Sequence, residues 1–203
     1  MSNVTLVLTG FGRFHGMTDN PTTHIVEAIT EMYNNSAPPS VGKFVSRIIV
    51  VSATEVTTAA NELLELGDDN RIVFLHLGVD AVRDGKFRLE LNAFNDASFR
   101  APDEDGCQPD AEQIVKDEEF GNKIVTTLPL ESYVEKLTER GYLVETSESA
   151  GRFLCNYIYY LMSRVSVNKP NYESLFVHVP SFDDIDRDTQ VKFIDELIRL
   201  IVD

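Results

Sequence analysis

At 203 residues the chain is long enough to bury a substantial core as one domain. Its 43% hydrophobic and 25% charged content excludes a disordered or fibrous protein. The formal net charge of −15 argues against a surface for nucleic acid or anionic membrane, because phosphates would be repelled.

No apolar run approaches a membrane span, and Met1 to Gly10 lacks the basic start and apolar length of a signal peptide. Cys107 and Cys155 make no disulfide framework, so reduced thiols in the cytosol are expected. Val4 to Thr9 alternates and is rich in β-branched residues, which predicts a strand. Gly10 to Phe14 reads as a glycine turn. Asn20-Pro21 then opens a helix with Ile25, Val26, Ile29 and Met32 on one face. A strand, a glycine turn and a helix are half of a dinucleotide site, but the third glycine of G-x-G-x-x-G is missing.

Phe44 to Val51 reads as a strand, and Val56 to Leu66 as a helix stopped by Gly67. The continuous apolar run Ile72 to Leu77 predicts a strand buried on both faces. This βαβαβ order implies a parallel-leaning sheet with helices on both sides. Phe87 to Phe94 alternates apolar and polar residues, which suits a half-exposed or antiparallel strand. Asn95 to Asp110 is a polar loop of a length that is often functional. Leu130 to Arg140 reads as a helix stopped by Gly141, and Leu175 to Val179 as a strand cut by Pro180. A closing helix carries Val191, Ile194, Leu197, Ile198 and Ile201 on one face, capped by Asp186 or Asp188.

The chemistry concentrates between Tyr142 and Leu161. A short apolar run, Tyr142 to Val144, is followed by a polar turn and a helical pattern at Phe153, Leu154, Tyr157, Ile158 and Leu161. Ser147 and Ser149 are both possible N-caps. Unpaired N–H groups at such a helix start suit an anion or a developing oxyanion. Cys155 lies close by, as a nucleophile or as an ordinary buried filler. A thiol nucleophile needs a base, and the base an orienting partner. His15 and His24 fall near the first loop and helix. His76 and His178 both fall near the carboxyl ends of apolar strands, the edge where open α/β sheets bind ligands, and position does not choose between them. Glu90 could orient an imidazole or be a solvated carboxylate. No spacing such as H-E-x-x-H or C-x-x-C suggests a metal.

Four separated pieces together resemble pyroglutamyl peptidase I, the pyrrolidone-carboxylate peptidases. They are Thr9 to Phe14 with Asn20-Pro21; Glu90 to Asn95 with Arg100 and Pro102-Asp103; Ser149 to Asn156; and Phe176 to Pro180. Order and spacing agree over nearly the whole chain. The resemblance implies a three-layer α/β/α sandwich with a mixed, mostly parallel central sheet. It implies a cysteine exopeptidase without cofactor, acting on N-terminal pyroglutamyl peptides. Cys155, His178 and Glu90 match the family's catalytic positions, and Arg100 an arginine that helps the oxyanion. Phe11, Phe14, Asn20 and Phe153 match residues lining the pyroglutamyl pocket. Arg13 stands where the family has proline, and Cys107 occupies a loop position not normally cysteine. Two other classes stand beside this reading: an α/β phosphorylase or nucleotide-binding enzyme using the Gly10–Phe14 turn, and a non-catalytic pyroglutamyl-binding protein. Oligomeric state is not legible.

Overall fold

A computed structural model describes residues 4–14, 16–67, 70–80, 82 and 84–203. His15 and the first three residues lie outside them.

The chain runs β1 (Val4–Phe11), α1 (Pro21–Ser36), β2 (Val41–Ile49), α2 (Ala53–Leu64), β3 (Arg71–Val79), β4 (Phe87–Glu90), β5 (Asn92–Phe94) and β6 (Lys123–Val125). It continues α3 (Leu130–Glu139), β7 (Val144–Ser147), α4 (Leu154–Asn168), β8 (Tyr172–Val179) and α5 (Arg187–Val202). Among the described residues, six strands form one sheet in the order β2-β1-β3-β8-β4-β7. Its pairs are parallel except β4 with β8, which is antiparallel. β5 and β6 form a separate antiparallel pair.

The central strands explain the continuous apolar runs. Leu6, Leu8, Val73, Leu75 and Val177 face one layer, where Ile25, Ile29, Leu137, Ile194 and Ile198 from α1, α3 and α5 cover them. Val7, Ile72, Phe74 and Phe176 face the other, covered by Val56 and Ala60 of α2 and Leu154 and Ile158 of α4. Two apolar layers on one sheet give the three-layer α/β/α sandwich expected above.

Local chemistry sets the helix ends. Asn20 caps α1, with Pro21 at the first turn, and accepts from Thr22 N at 3.0 Å. Ser52 caps α2 through Glu55 N, and Asp186, not Asp188, caps α5 through Thr189 N. Several expectations shift. Met32 is exposed and Tyr33 is the buried residue, because α1 turns its core stripe from Ile29 to the residue four positions on. Gly10 and Phe11 belong to β1 rather than to a turn. A Cβ at Gly10 would lie 2.9 Å from Thr22 O, so glycine permits the close approach of α1. α2 ends at Leu64 with Glu65 as its cap, before Gly67. The Phe87–Phe94 run breaks after Glu90 into β4 and β5.

Candidate active site

The carboxyl ends of β3, β8 and β4 and the β7–α4 turn enclose a cleft of about 360 Å³. Glu90, Arg100, Phe153, Cys155 and His178 all line it.

The thiol is placed by the start of α4. Neither Ser147 nor Ser149 caps this helix; Phe153 is its N-cap residue, without a side-chain cap bond. The helix therefore begins later than the serines suggest, and Cys155 lies in its first turn, where unpaired N–H groups concentrate. Ser149 Oγ instead accepts from Gly151 N and from Arg152 Nη1, shaping the turn. Asn156 fixes the helix start to the strand beside it. It is fully buried, accepts from Phe94 N at 2.9 Å, and donates to Phe94 O and Asp96 O. Beneath the sulfur lies Gly78 of β3. A Cβ there would stand 2.9 Å from Cys155 Sγ and 2.6 Å from the Phe176 ring, so only glycine leaves the thiol its place.

His178 sits on β8 in register with Gly78 on one side and Arg88 on the other. Its Nδ1 lies 2.7 Å from Glu90 Oε1. A carboxylate only accepts, so Nδ1 carries a proton toward Glu90 and Nε2 faces the thiol. Burial alone would hold this imidazole neutral, but Cys155 and the Glu90 carboxylate outweigh it and lift the His178 pKa to about 10. Glu90 is 1% exposed and its Oε2 finds no partner among the described residues. The polar side of β4 is therefore a wall of the cleft, not a solvated edge. Tyr159, one turn after Cys155 on α4, donates its hydroxyl to Glu90 O at 2.8 Å, tying the carboxylate's strand to the thiol's helix.

The other predicted residues divide. Phe153 lines the cleft, with Phe14 against it at 5.2 Å between ring centroids and Phe99 edge-on at 4.8 Å. Phe11 is packed in the core beneath this aromatic group, 6% exposed. Asn20 lies outside the cleft; it is buried and donates to Gly12 O at 2.9 Å, holding the loop that carries Arg13 and Phe14. Arg100 lines the cleft and is exposed. Cys107 is exposed in the loop organised by Asp103, whose Oδ1 accepts from Cys107 N. His76 lies away from the cleft in the core, with Nδ1 2.8 Å from Thr9 Oγ1. Desolvation lowers its pKa to about 3, so it is neutral. His24 pairs with Asp19 on the surface.

Sequence reasoning missed Gly78, Asn156 and Tyr159. Gly78 carries a signal, a glycine inside an apolar strand, and Asn156 closes the Ser149–Asn156 piece of the resemblance.

A three-layer α/β/α fold with a thiol, an imidazole and a carboxylate at one cleft of its sheet edge defines the class of cysteine hydrolases. The chain belongs to the pyroglutamyl peptidase family, whose model matches residues 4–192. It is 31% identical over 179 residues to a pyrrolidone-carboxylate peptidase of Pyrococcus furiosus, covering 86% of this chain and 80% of the relative. It is 28% identical over 177 residues to one of Bacillus cytotoxicus, covering 87% and 78%. A solved structure of a mutant pyrrolidone carboxyl peptidase from Pyrococcus furiosus superposes with a TM-score of 0.83 at 25% identity, over 97% of each chain. The Thermococcus litoralis structure gives 0.83 at 24% identity, over 98% and 93%, and shares the fold.

Proposed function

We propose that this chain removes N-terminal pyroglutamyl residues from peptides, with Cys155 as nucleophile. The observation that carries the reading is the buried His178–Glu90 contact of 2.7 Å in the cleft that also holds Cys155. Cys155 Sγ attacks the carbonyl that joins pyroglutamate to the next residue. His178 takes the thiol proton, holds it as an imidazolium, and gives it to the leaving amine. Glu90 holds the imidazole's tautomer and supports its positive charge. Arg100 and the N–H groups at the start of α4 stabilise the tetrahedral oxyanion. Water then hydrolyses the thioester, returning Cys155 and releasing pyroglutamate. Two free cysteines that form no disulfide suit a reducing compartment, which supports action in the cytosol.

Phe14 and Phe153, their rings tilted 48° to each other and in one apolar cluster with Phe11, form an apolar wall suited to a neutral lactam. A prolyl residue has the same ring size but carries an ammonium, whose unpaired burial costs several kcal/mol. It also lacks the lactam carbonyl, leaving pocket polar groups unpaired. The test compares pyroglutamyl and prolyl amides with one leaving group on one preparation. The expected preference in kcat/KM is at least ~10³-fold. Comparable values would remove the lactam-pocket reading.

A further inference from the structure

The order of the strands separates two sides of the thiol. The aromatic group, Phe11, Phe14 and Phe153, gathers toward the end of β1. Cys155 stands over Gly78 of β3, the next strand. Beyond it come His178 on β8 and then Arg88 and Glu90 on β4, and the cleft opens on that side, reaching Asp80 and Ser147. If the aromatic group receives the lactam, the leaving half of the peptide must extend the other way. The chemistry requires the same direction, because the leaving amine must meet the imidazole that protonates it.

The charges lining this cleft are not equivalent. Arg88 is committed to Asp80, Asp84 and Glu145. Arg152 is held by Asp96 at 3.0 Å and lies over the Phe94 ring. Glu90 is taken by His178. Arg100 is exposed on the cleft and has no hydrogen bond or ion pair among the described residues. Of the three arginines that line the cleft, it alone is uncommitted among the described residues. The Asn95–Asp110 loop holds it there. Asp96 ties the loop to Arg152, and Ser98 N donates to Arg152 O at 3.2 Å.

We infer that the cleft beside His178 receives the leaving portion of the substrate, and that Arg100 binds a carboxylate on it. This rests on the peptidase reading above. The carboxylate is either an acidic side chain on the residue after pyroglutamate or the C-terminal carboxylate of a pyroglutamyl dipeptide. A guanidinium presents five N–H donors, so it can meet a carboxylate as well as face the oxyanion. The chain's net negative charge opposes acidic peptides at long range, but at physiological salt the Debye length is about 8 Å and contact dominates. An exposed pair of this kind is worth up to about a fivefold preference.

The experiment uses three substrates at physiological salt: pyroglutamyl-glutamine amide, pyroglutamyl-glutamate amide, and pyroglutamyl-glutamine with a free C-terminus. Release of pyroglutamate gives kcat/KM for each with the native protein and with Arg100→Gln. Taking each acidic substrate relative to the neutral amide cancels any loss of oxyanion stabilisation in the variant. The expected result is a ratio of about fivefold for at least one carboxylate, carried by KM and falling to one or below in Arg100→Gln. Which ratio rises identifies the carboxylate. Native ratios at or below one, or ratios unchanged in Arg100→Gln, overturn the inference while leaving the peptidase reading intact. No turnover of the neutral amide overturns the peptidase reading itself and the inference with it.

Discussion

His76 and His178 stand near the carboxyl ends of neighbouring parallel strands, two residues apart in register, and their sequence surroundings look alike. Their chemistry is opposite. His76 is fully buried, has a hydroxyl for a partner, leaves Nε2 unpaired among the described residues, and has its pKa lowered to about 3. His178 is nearly as deeply set but touches a carboxylate and a thiol, and its pKa is raised to about 10. The strand on the far side decides. β3 borders β1, which offers Thr9; β8 borders the antiparallel β4, which offers Glu90. Burial removes a histidine's charge unless an anion is buried with it.

Exchanging each histidine for alanine should separate them most. His178→Ala is expected to lower kcat at least ~100-fold, the scale of a lost general base. His76→Ala should act on stability, through a cavity, with kcat of the folded fraction close to native. A larger kcat loss from His76→Ala would reverse the assignment.

Changing the partners sharpens the contrast. Glu90→Gln keeps size but removes the charge that favours the imidazolium. It should lower kcat about tenfold or more with little change in KM. Because Glu90 raises the His178 pKa, the alkaline limb of the pH–rate profile should move to lower pH in this variant. An unmoved limb would return Glu90 to a structural role. Thr9→Val leaves His76 Nδ1 without its hydroxyl and should cost about 1–3 kcal/mol of stability, read by urea unfolding, with kcat unchanged.

The smallest effect lies in the pH dependence of stability. The raised pKa of His178 contributes stability that is complete below its ordinary value of 6.5 and lost as pH rises through about 10. The lowered pKa of His76 contributes stability present above 6.5 and lost as pH falls toward about 3. The acid-side loss is at most about 1.4 kcal/mol per pH unit for one proton. It should diminish in His76→Gln; melting curves between about pH 7 and 5 that decline equally in both proteins would contradict it.

What the sequence reveals follows the same logic. β3 and β8 are legible because strands buried on both faces need uninterrupted apolar residues. The meeting of His178 with Glu90 is not, because it depends on β4 lying antiparallel beside β8, a non-local choice. For the same reason the Arg88–Glu90 side of β4 has the pattern of a solvated edge, although Glu90 is buried. The α4 start is misread because serines two and four residues before Gly151 look like caps, whereas they bond within the turn. The gathering of Cys155, His178 and Glu90 is reachable only through motif resemblance over four separated pieces.

The central claim is that the Cys155 thiol is the reacting group on a pyroglutamyl substrate. Its most direct test is turnover of a fluorogenic pyroglutamyl amide by the native protein, Cys155→Ser and Cys107→Ser, each with and without a thiol alkylator. The account predicts that native protein and Cys107→Ser turn over alike and are silenced by alkylation, while Cys155→Ser is inactive from the start. Full activity in Cys155→Ser, or its loss in Cys107→Ser alone, would contradict it.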